Sequence, residues 1–297
     1  MKTLTAFYDL DVGPVSYDFI VFIIKAELER KRVGADCLHV VIVPGVGPGG
    51  MRDKSGFYDQ HEAKFRLWNI CIPACALIGA TVTLATDWVQ AERLGSRSSA
   101  GVWPNDWDHQ TLRTRPHLIG GIVKAAHAGT PIPRLQASEH ARRTVRKLWA
   151  GRKVVTMTRR NTYLGDRNTS DEQWAAAAMH FADKGFAVYT IRDVSKALAQ
   201  GGGFAELSID LRMAMYQEAT LNLQANNGSA SLCWFSETPY LMFDAGVGET
   251  EKEWRGLFVD EGVPWGASWP WATPKQRIVY KRSTRDVIIE EFERGLG

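Results

Sequence analysis

The stretch Leu211–Phe243, LRMAMYQEATLNLQANNGSASLCWFSETPYLMF, leaves this chain little choice of fold class. It reads as helix, strand, polar turn, short helix, strand. Strand Leu221–Ala225 stops at Asn226-Asn227-Gly228-Ser229, and the small residues behind that turn can open a helix. Strands joined through a crossover helix run parallel with a right-handed connection, which commits the segment to an α/β sheet. A polar turn that opens a helix presents free N–H groups and the positive end of a dipole to an anion. In open α/β sheets, ligands sit outside the carboxyl ends of the strands, where this turn falls. The segment therefore predicts a phosphate or pyrophosphate seat. The competing reading is a tight βα turn that uses Asn and Gly for backbone geometry alone.

The same alternation recurs on both sides of that stretch. Residues 3–9 form a first strand, Ser16 begins a helix over Tyr17–Arg32, and Gly34 ends it. Leu38–Val43, LHVVIV, is a continuous run of the kind buried on both faces of a parallel sheet. The loop PGVGPGG after it has no helix directly behind it, so it is not a dinucleotide fingerprint. A helix is expected over Tyr58–Ile72 with His61 and Arg66 on its polar side, then a strand over Ala80–Ala85. Trp103 and Trp107 look like loop anchors. Gly129-Thr130-Pro131-Ile132-Pro133 breaks the pattern, because closely spaced prolines disfavour a continuing helix. Beyond it come strands Lys153–Thr158 and Phe186–Ile191, a helix capped by Ser170 with Gln173, and a last helix over Thr284–Arg294. The expectation is an α/β chain of two Rossmann-like domains, 1–134 and 135–297, facing each other across a cleft.

Composition narrows the classes. The 297 residues are 45% hydrophobic and 23% charged with a net charge of +3, values of a soluble globular chain without a nucleic-acid-binding charge block. The crowding of Arg142, Arg143, Arg146 and Lys147 suits a solvated helix face. The start MKTLTAFYDL lacks the marks of a signal peptide, and no apolar run approaches a membrane span, so the expectation is a cytoplasmic protein with at most peripheral membrane contact. The four cysteines, Cys37, Cys71, Cys75 and Cys233, lie in apolar or strand-like surroundings, without a second pair or a nearby His to complete a metal set. They read as reduced, buried thiols.

In the second half three strands end in polar groups at what should be one sheet edge. These are Thr158-Arg159-Arg160, Arg192-Asp193 and the 226–229 turn. Guanidinium groups bind phosphate bidentately, and Arg167-Asn168 before the capped helix can join them. Asp193 has a ribose or base edge as one reading and a capping role as another. In the first half, Asp9-Leu10-Asp11 resembles a D-x-D metal motif. Its place at a strand end before Gly13-Pro14 favours a turn over metal binding, and leaves either carboxylate as a candidate general base. His61 is another base candidate, and His39, inside an apolar strand, reads as core. No nucleophile elbow, H-E-x-x-H motif or Walker lysine loop is present, which argues against the corresponding hydrolases, zinc proteases and ATPases.

Val154–Arg160, Arg167-Asn168-Thr169-Ser170 with Trp174, and Ile209–Phe243 resemble glycosyltransferase-like proteins of bacterial surface-polysaccharide clusters. More loosely, they are similar to the donor domains of heptosyltransferase- and fucosyltransferase-type GT-B enzymes. The first half, FYDLDVGPVSYDFIVFIIKAELERKR with LHVVIVPG, resembles the amino-terminal part of the same proteins, so the likeness covers nearly the whole chain. It implies a metal-independent glycosyltransferase with no cofactor. A nucleotide-sugar is the donor and a glycan or lipid-linked hydroxyl the acceptor. Carried over, donor binding falls on Asn226, Asn227, Gly228 and Ser229 and on Arg159 or Arg160, with Thr158, Arg167, Asn168, Arg192 and Asp193 alongside. Asp11 or Asp9 would be the base. A non-catalytic nucleotide- or sugar-binding subunit and a sugar-nucleotide epimerase are the alternatives.

Overall fold

The computed structural model describes residues 1–45, 60–108, 118–160, 168–192, 208–248, 251–259 and 261–296. The chain divides into two compact units, Met1–Ile122 with Pro131–Leu135, and Val123–Thr130 with Gln136–Gly297. Each is built on a parallel sheet.

In the first unit β1 (Thr3–Asp9), β2 (Cys37–Val43), β3 (Thr81–Leu84) and β4 (Val102–Trp103) lie in the order β3-β2-β1-β4. β1 pairs with β2 in parallel from Thr3↔Cys37 to Asp9↔Val43. Helix α1 (Asp18–Arg32) makes the first crossover. The Ser16 hydroxyl accepts the Asp18 N–H at 3.2 Å at its start, and Gly34 follows its end at φ +64. Phe19, Ile20, Phe22, Ile23 and Ile24 are fully buried on it, and Tyr8 meets Phe19 edge-on at 4.7 Å. Each such side chain contributes about 1.5–3 kcal/mol by leaving water. Further helices in this unit include α2 (Gln60–Arg66), whose helical path continues through Leu67–Cys71, Ile72–Ala74 and Cys75–Ile78, and α3 (Trp88–Ser96), the latter capped by Asp87, whose carboxylate accepts the Gln90 N–H.

Two local expectations change. Arg66 is not on a polar face: it is 5% exposed and pairs with Glu62 at 2.9 Å, the arrangement that makes a buried guanidinium tolerable. His39 is only half-buried, with Nδ1 2.8 Å from the Thr81 hydroxyl of the neighbouring strand.

The second unit contains α4 (Gly120–His127), which begins in the first, and α5 (Glu139–Trp149). Its strands are β5 (Val154–Thr158), β6 (Ala187–Ile191), β7 (Leu221–Ala225), β8 (Tyr240–Phe243) and β9 (Gln276–Ile278), ordered β6-β5-β7-β8-β9 and all parallel. Its further helices are α6 (Asp171–Asp183), α7 (Ile209–Glu218), α8 (Ser231–Trp234), α9 (Glu251–Val259) and α10 (Arg285–Leu296). The core joins Val155, Met157, Leu223 and Phe243 of the strands to Trp174, Phe181, Ile288 and Phe292 of α6 and α10. Ser170 caps α6 by accepting the Gln173 N–H at 3.3 Å. Trp269 and Trp271 are buried and stacked on each other at 5.2 Å, so they belong to the interior.

Candidate functional site

The two sheets share one topological feature. In the second, the chain runs from β5 outward to β6, then returns to place β7 on the other side of β5. The first sheet does the same, with β2 and β3 on one side of β1 and β4 on the other. At such switch points the loops leave in opposite directions and open a crevice at the carboxyl ends of the strands. In the second unit this point lies between the ends of β5 and β7, the positions of Arg159-Arg160 and Asn226-Asn227.

The structure joins these two strand ends. Arg160 Nη1 donates to the Asn226 carbonyl at 2.6 Å. The Arg160 carbonyl in turn accepts from the Thr169 amide and hydroxyl, both at 3.1 Å, which brings the half-buried Asn168 to the same rim. Asn227 is 6% exposed and in extended geometry. Its Oδ1 accepts from Ala230 N–H at 3.2 Å and Ser229 Oγ at 2.9 Å, while its buried Nδ2 has no hydrogen-bond partner among the described residues. Gly228 is the exposed member of the turn. The helix that the turn opens is short, a 3-10 segment Gly228–Ala230 running into α8. Its dipole is correspondingly small, so the polar groups this turn offers are chiefly the Arg160 guanidinium and the amides of the turn.

Other predicted donor residues sit differently. Thr158 is fully buried, and its hydroxyl lies 2.9 Å from the Tyr216 hydroxyl, below the rim. Arg159 turns to Asp171 at the start of α6, 2.9 Å away. Ser229 is buried, with its hydroxyl directed to Asn227. Arg192 is exposed and its carbonyl accepts Nη2 of Arg212 at 3.1 Å. Arg167 and Asp193 lie outside the described residues.

Arg212 is the residue the sequence did not single out. It is 1% exposed on α7, and its positive charge opposes the rise that burial imposes on the Tyr216 hydroxyl. The same charge acts on the Cys233 thiol, which burial pushes up to about 12. The only clue in the sequence is an arginine inside the apolar run LRMAM.

In the first unit Asp9 ends β1 at that sheet's switch point. Its Oδ1 accepts the Asp11 N–H at 2.9 Å, and its carbonyl accepts from Val12 and Gly13 at 3.0 and 2.8 Å. Asp9 and Asp11 are each 4% exposed. Gly13 is required there, since a Cβ would lie 2.4 Å from the Tyr8 ring. His61 is exposed on α2. Among the described residues no group of three His, Cys, Asp or Glu side chains is placed to hold a metal ion, and no helix is long and apolar enough to cross a membrane.

A glycosyl transferase family 9 structure from Veillonella parvula DSM 2008 matches 99% of this chain over 97% of its own, with TM-score 0.52 and 10% identity. The fold is GT-B-like. E. coli ADP-heptose lps heptosyltransferase II matches 100% of the chain and 98% of its own at TM-score 0.47 and 12% identity. E. coli heptosyltransferase WaaC with ADP-2-deoxy-2-fluoro heptose matches 99% of both chains at TM-score 0.45 and 12% identity. No family model matches the sequence, and neither does any curated protein.

Proposed function

We propose that this chain is a glycosyltransferase that moves a sugar from a nucleotide-sugar donor to a hydroxyl acceptor in surface-glycan synthesis, without a metal ion. The observation that carries the reading is the Arg160–Asn226 hydrogen bond at the switch point of the second sheet, within a fold like that of a family 9 glycosyltransferase. The donor diphosphate would lie on this rim. Arg160, Asn227 Nδ2 and the exposed Gly228 backbone would meet its oxygens, with Asn168 and Arg192 at the margins. As the sugar–phosphate bond breaks, negative charge grows on the leaving diphosphate. Donors already in position stabilise that charge without reorganising. The acceptor hydroxyl loses its proton to a carboxylate, assigned to Asp11, because one Asp9 oxygen is held by the Asp11 amide. The protein acts in the cytoplasm, where nucleotide-sugars are made, touching the membrane at most peripherally.

The deciding experiment is a panel of UDP-, GDP-, ADP- and CMP-sugars, tested by thermal shift and then for nucleotide release with and without acceptor. Acceptor-dependent release supports the reading. Binding without release favours the non-catalytic subunit, a reading to which the burial of both Asp9 and Asp11 lends weight. Isomerised donor without acceptor would mark an epimerase.

A further inference from the structure

The rim continues past the 226–229 turn to β8 and β9, where a second cation is held in place. After β9 the chain runs Lys281-Arg282-Ser283, and this segment is fixed to the loop that leaves β8. Asp244 N–H donates to the Lys281 carbonyl at 3.2 Å, and the Asp244 carboxylate accepts from Ser283 N–H at 2.9 Å and Ser283 Oγ at 2.6 Å. These bonds hold Asp244 at φ +60, a left-handed conformation that is costly outside glycine. Arg282 lies between the two anchored residues. Its guanidinium rests on Gly248: a Cβ built there would lie 2.7 Å from Nη2, and Gly248 has φ +61.

The neighbouring cations have acidic partners, and among the described residues Arg282 has none. Lys281 pairs with Glu290 and Glu291, and Arg285 with Asp286. Arg255, which lies over Trp265 at 4.3 Å, pairs with Glu251. Among the described residues the Arg282 side chain has neither an acidic nor a hydrogen-bonding partner, and it is exposed. Its five donors, in a planar fork suited to carboxylate or phosphate, remain available. Strand neighbours are about 4.8 Å apart, so the end of β9 stands about 10 Å along the rim from the end of β7.

We infer that Arg282, seated on Gly248 beside the Asp244 loop, binds a second anionic group on the same ligand, two strands from the diphosphate seat. This rests on the proposed nucleotide-sugar reading and narrows it. The preferred donor carries a further negative charge, either a carboxylate on the transferred sugar or an additional phosphate.

Calorimetric titration of the full chain separates the possibilities. The probes are the nucleoside diphosphates of uridine, guanosine and adenosine, and for each base the glucose conjugate, the glucuronate conjugate and the triphosphate. Wild type should bind one anionic probe at least about tenfold more tightly than the matching glucose conjugate, the scale of a charged hydrogen bond. Arg282→Ala should erase that preference and leave nucleoside diphosphate affinity unchanged. Gly248→Ala, which keeps the charge but pushes the guanidinium off its seat, should weaken the preference in the same direction. The glucuronate and triphosphate arms tell carboxylate from phosphate. Equal affinity for neutral and anionic conjugates, or a loss in Arg282→Ala that extends equally to the plain diphosphates, overturns the assignment while leaving the diphosphate seat standing. Failure of every nucleoside diphosphate to bind overturns both.

Discussion

At the scale of single residues, the rim sorts similar polar side chains into different roles by where their atoms end. Thr158 and Arg160 are neighbours in the sequence and looked equally suited to a ligand. Thr158, the last residue of a strand buried on both faces, points its hydroxyl to Tyr216, while Arg160, past the strand end, reaches Asn226. Thr158→Val keeps the shape and leaves the buried Tyr216 hydroxyl short of a partner. It should lower unfolding stability by about 1–3 kcal/mol in urea titrations and leave nucleoside diphosphate affinity unchanged. Arg160→Ala should do the reverse where it matters, weakening that affinity about tenfold or more in the same calorimetric assay. If the Thr158 variant lost binding and the Arg160 variant kept it, the inward and outward assignments would be exchanged. The meeting of Arg160 with the 226–229 turn was legible because the ends of neighbouring strands in a parallel sheet lie side by side. The burial of Arg212, Thr158 and Ser229 was not, since it depends on which helix covers the strand from above. Cysteine shows the same division. Burial pushes the Cys75 and Cys233 thiols up to about 12 and raises Cys71 as well, whereas Cys37 is half-buried at the start of β2. A thiol-specific reagent at pH 8 should therefore label Cys37 alone in the folded protein, with the other three reacting only in denaturant, because the thiolate is the reacting species.

At the scale of elements, long periodic segments were readable and short ones were not. β7 at Leu221–Ala225 falls where its pattern predicts, because a strand paired in parallel on both sides, to β5 and β8, is buried along its whole length. β4 is two residues long, Val102–Trp103, and exists only because Thr5 and Ala6 of β1 lie beside it. No local signal can announce such a strand, and its Trp103 read as a loop anchor. The helix after the second strand widens into a π turn at Leu67–Cys71, closed by Ile72 N–H to the Leu67 carbonyl. Pro73 follows directly, and its missing N–H gives the chain reason to leave the regular ladder. The last helix carries its own electrostatic device. Glu291 on α10 accepts from Arg294 at 2.8 Å, Arg277 at 2.9 Å and Lys281 at 3.3 Å. Burial by itself would raise its pKa; Lys281, Arg294 and Arg277 outweigh that and hold it below the ordinary glutamate value. A carboxyl whose folded pKa is depressed adds stability that is fully present above its unfolded value, about 4.3, and is lost as pH falls through the folded one. Glu291→Gln should therefore cost about 1–3 kcal/mol at pH 7, less than a fully buried network because its cationic partners are partly exposed. Urea midpoints of wild type and variant should converge as pH falls below 4, and a gap that stayed constant with pH would remove the assignment.

At the scale of the whole molecule, the residues proposed for donor binding and for proton transfer fall in different units, each built on a parallel sheet with the same switch topology. The donor candidates all belong to the second unit, and the carboxylate proposed as base, Asp11, lies two residues past the end of β1 in the first. A ligand that binds only the folded chain at a hundredfold excess over its dissociation constant adds about 2.7 kcal/mol of stability. Amide exchange with a saturating nucleoside diphosphate should then slow most at 158–160 and 226–234, in the loops around the seat. The sharper test follows from the separation itself. Asp11→Asn removes a proton acceptor while keeping nearly the same volume, so the turn after β1 should hold its shape. Nucleoside diphosphate affinity should stay at the wild-type value, because none of the second unit's donors is touched. Acceptor-dependent nucleotide release should fall by about 10²–10⁴-fold, the range that a positioned general base supplies. Asp9→Asn should fall less and lose stability as well, since its carboxylate also holds the Asp11 amide. Unchanged turnover in Asp11→Asn, with donor binding intact, would dismiss this carboxylate and turn the search for the base to other residues.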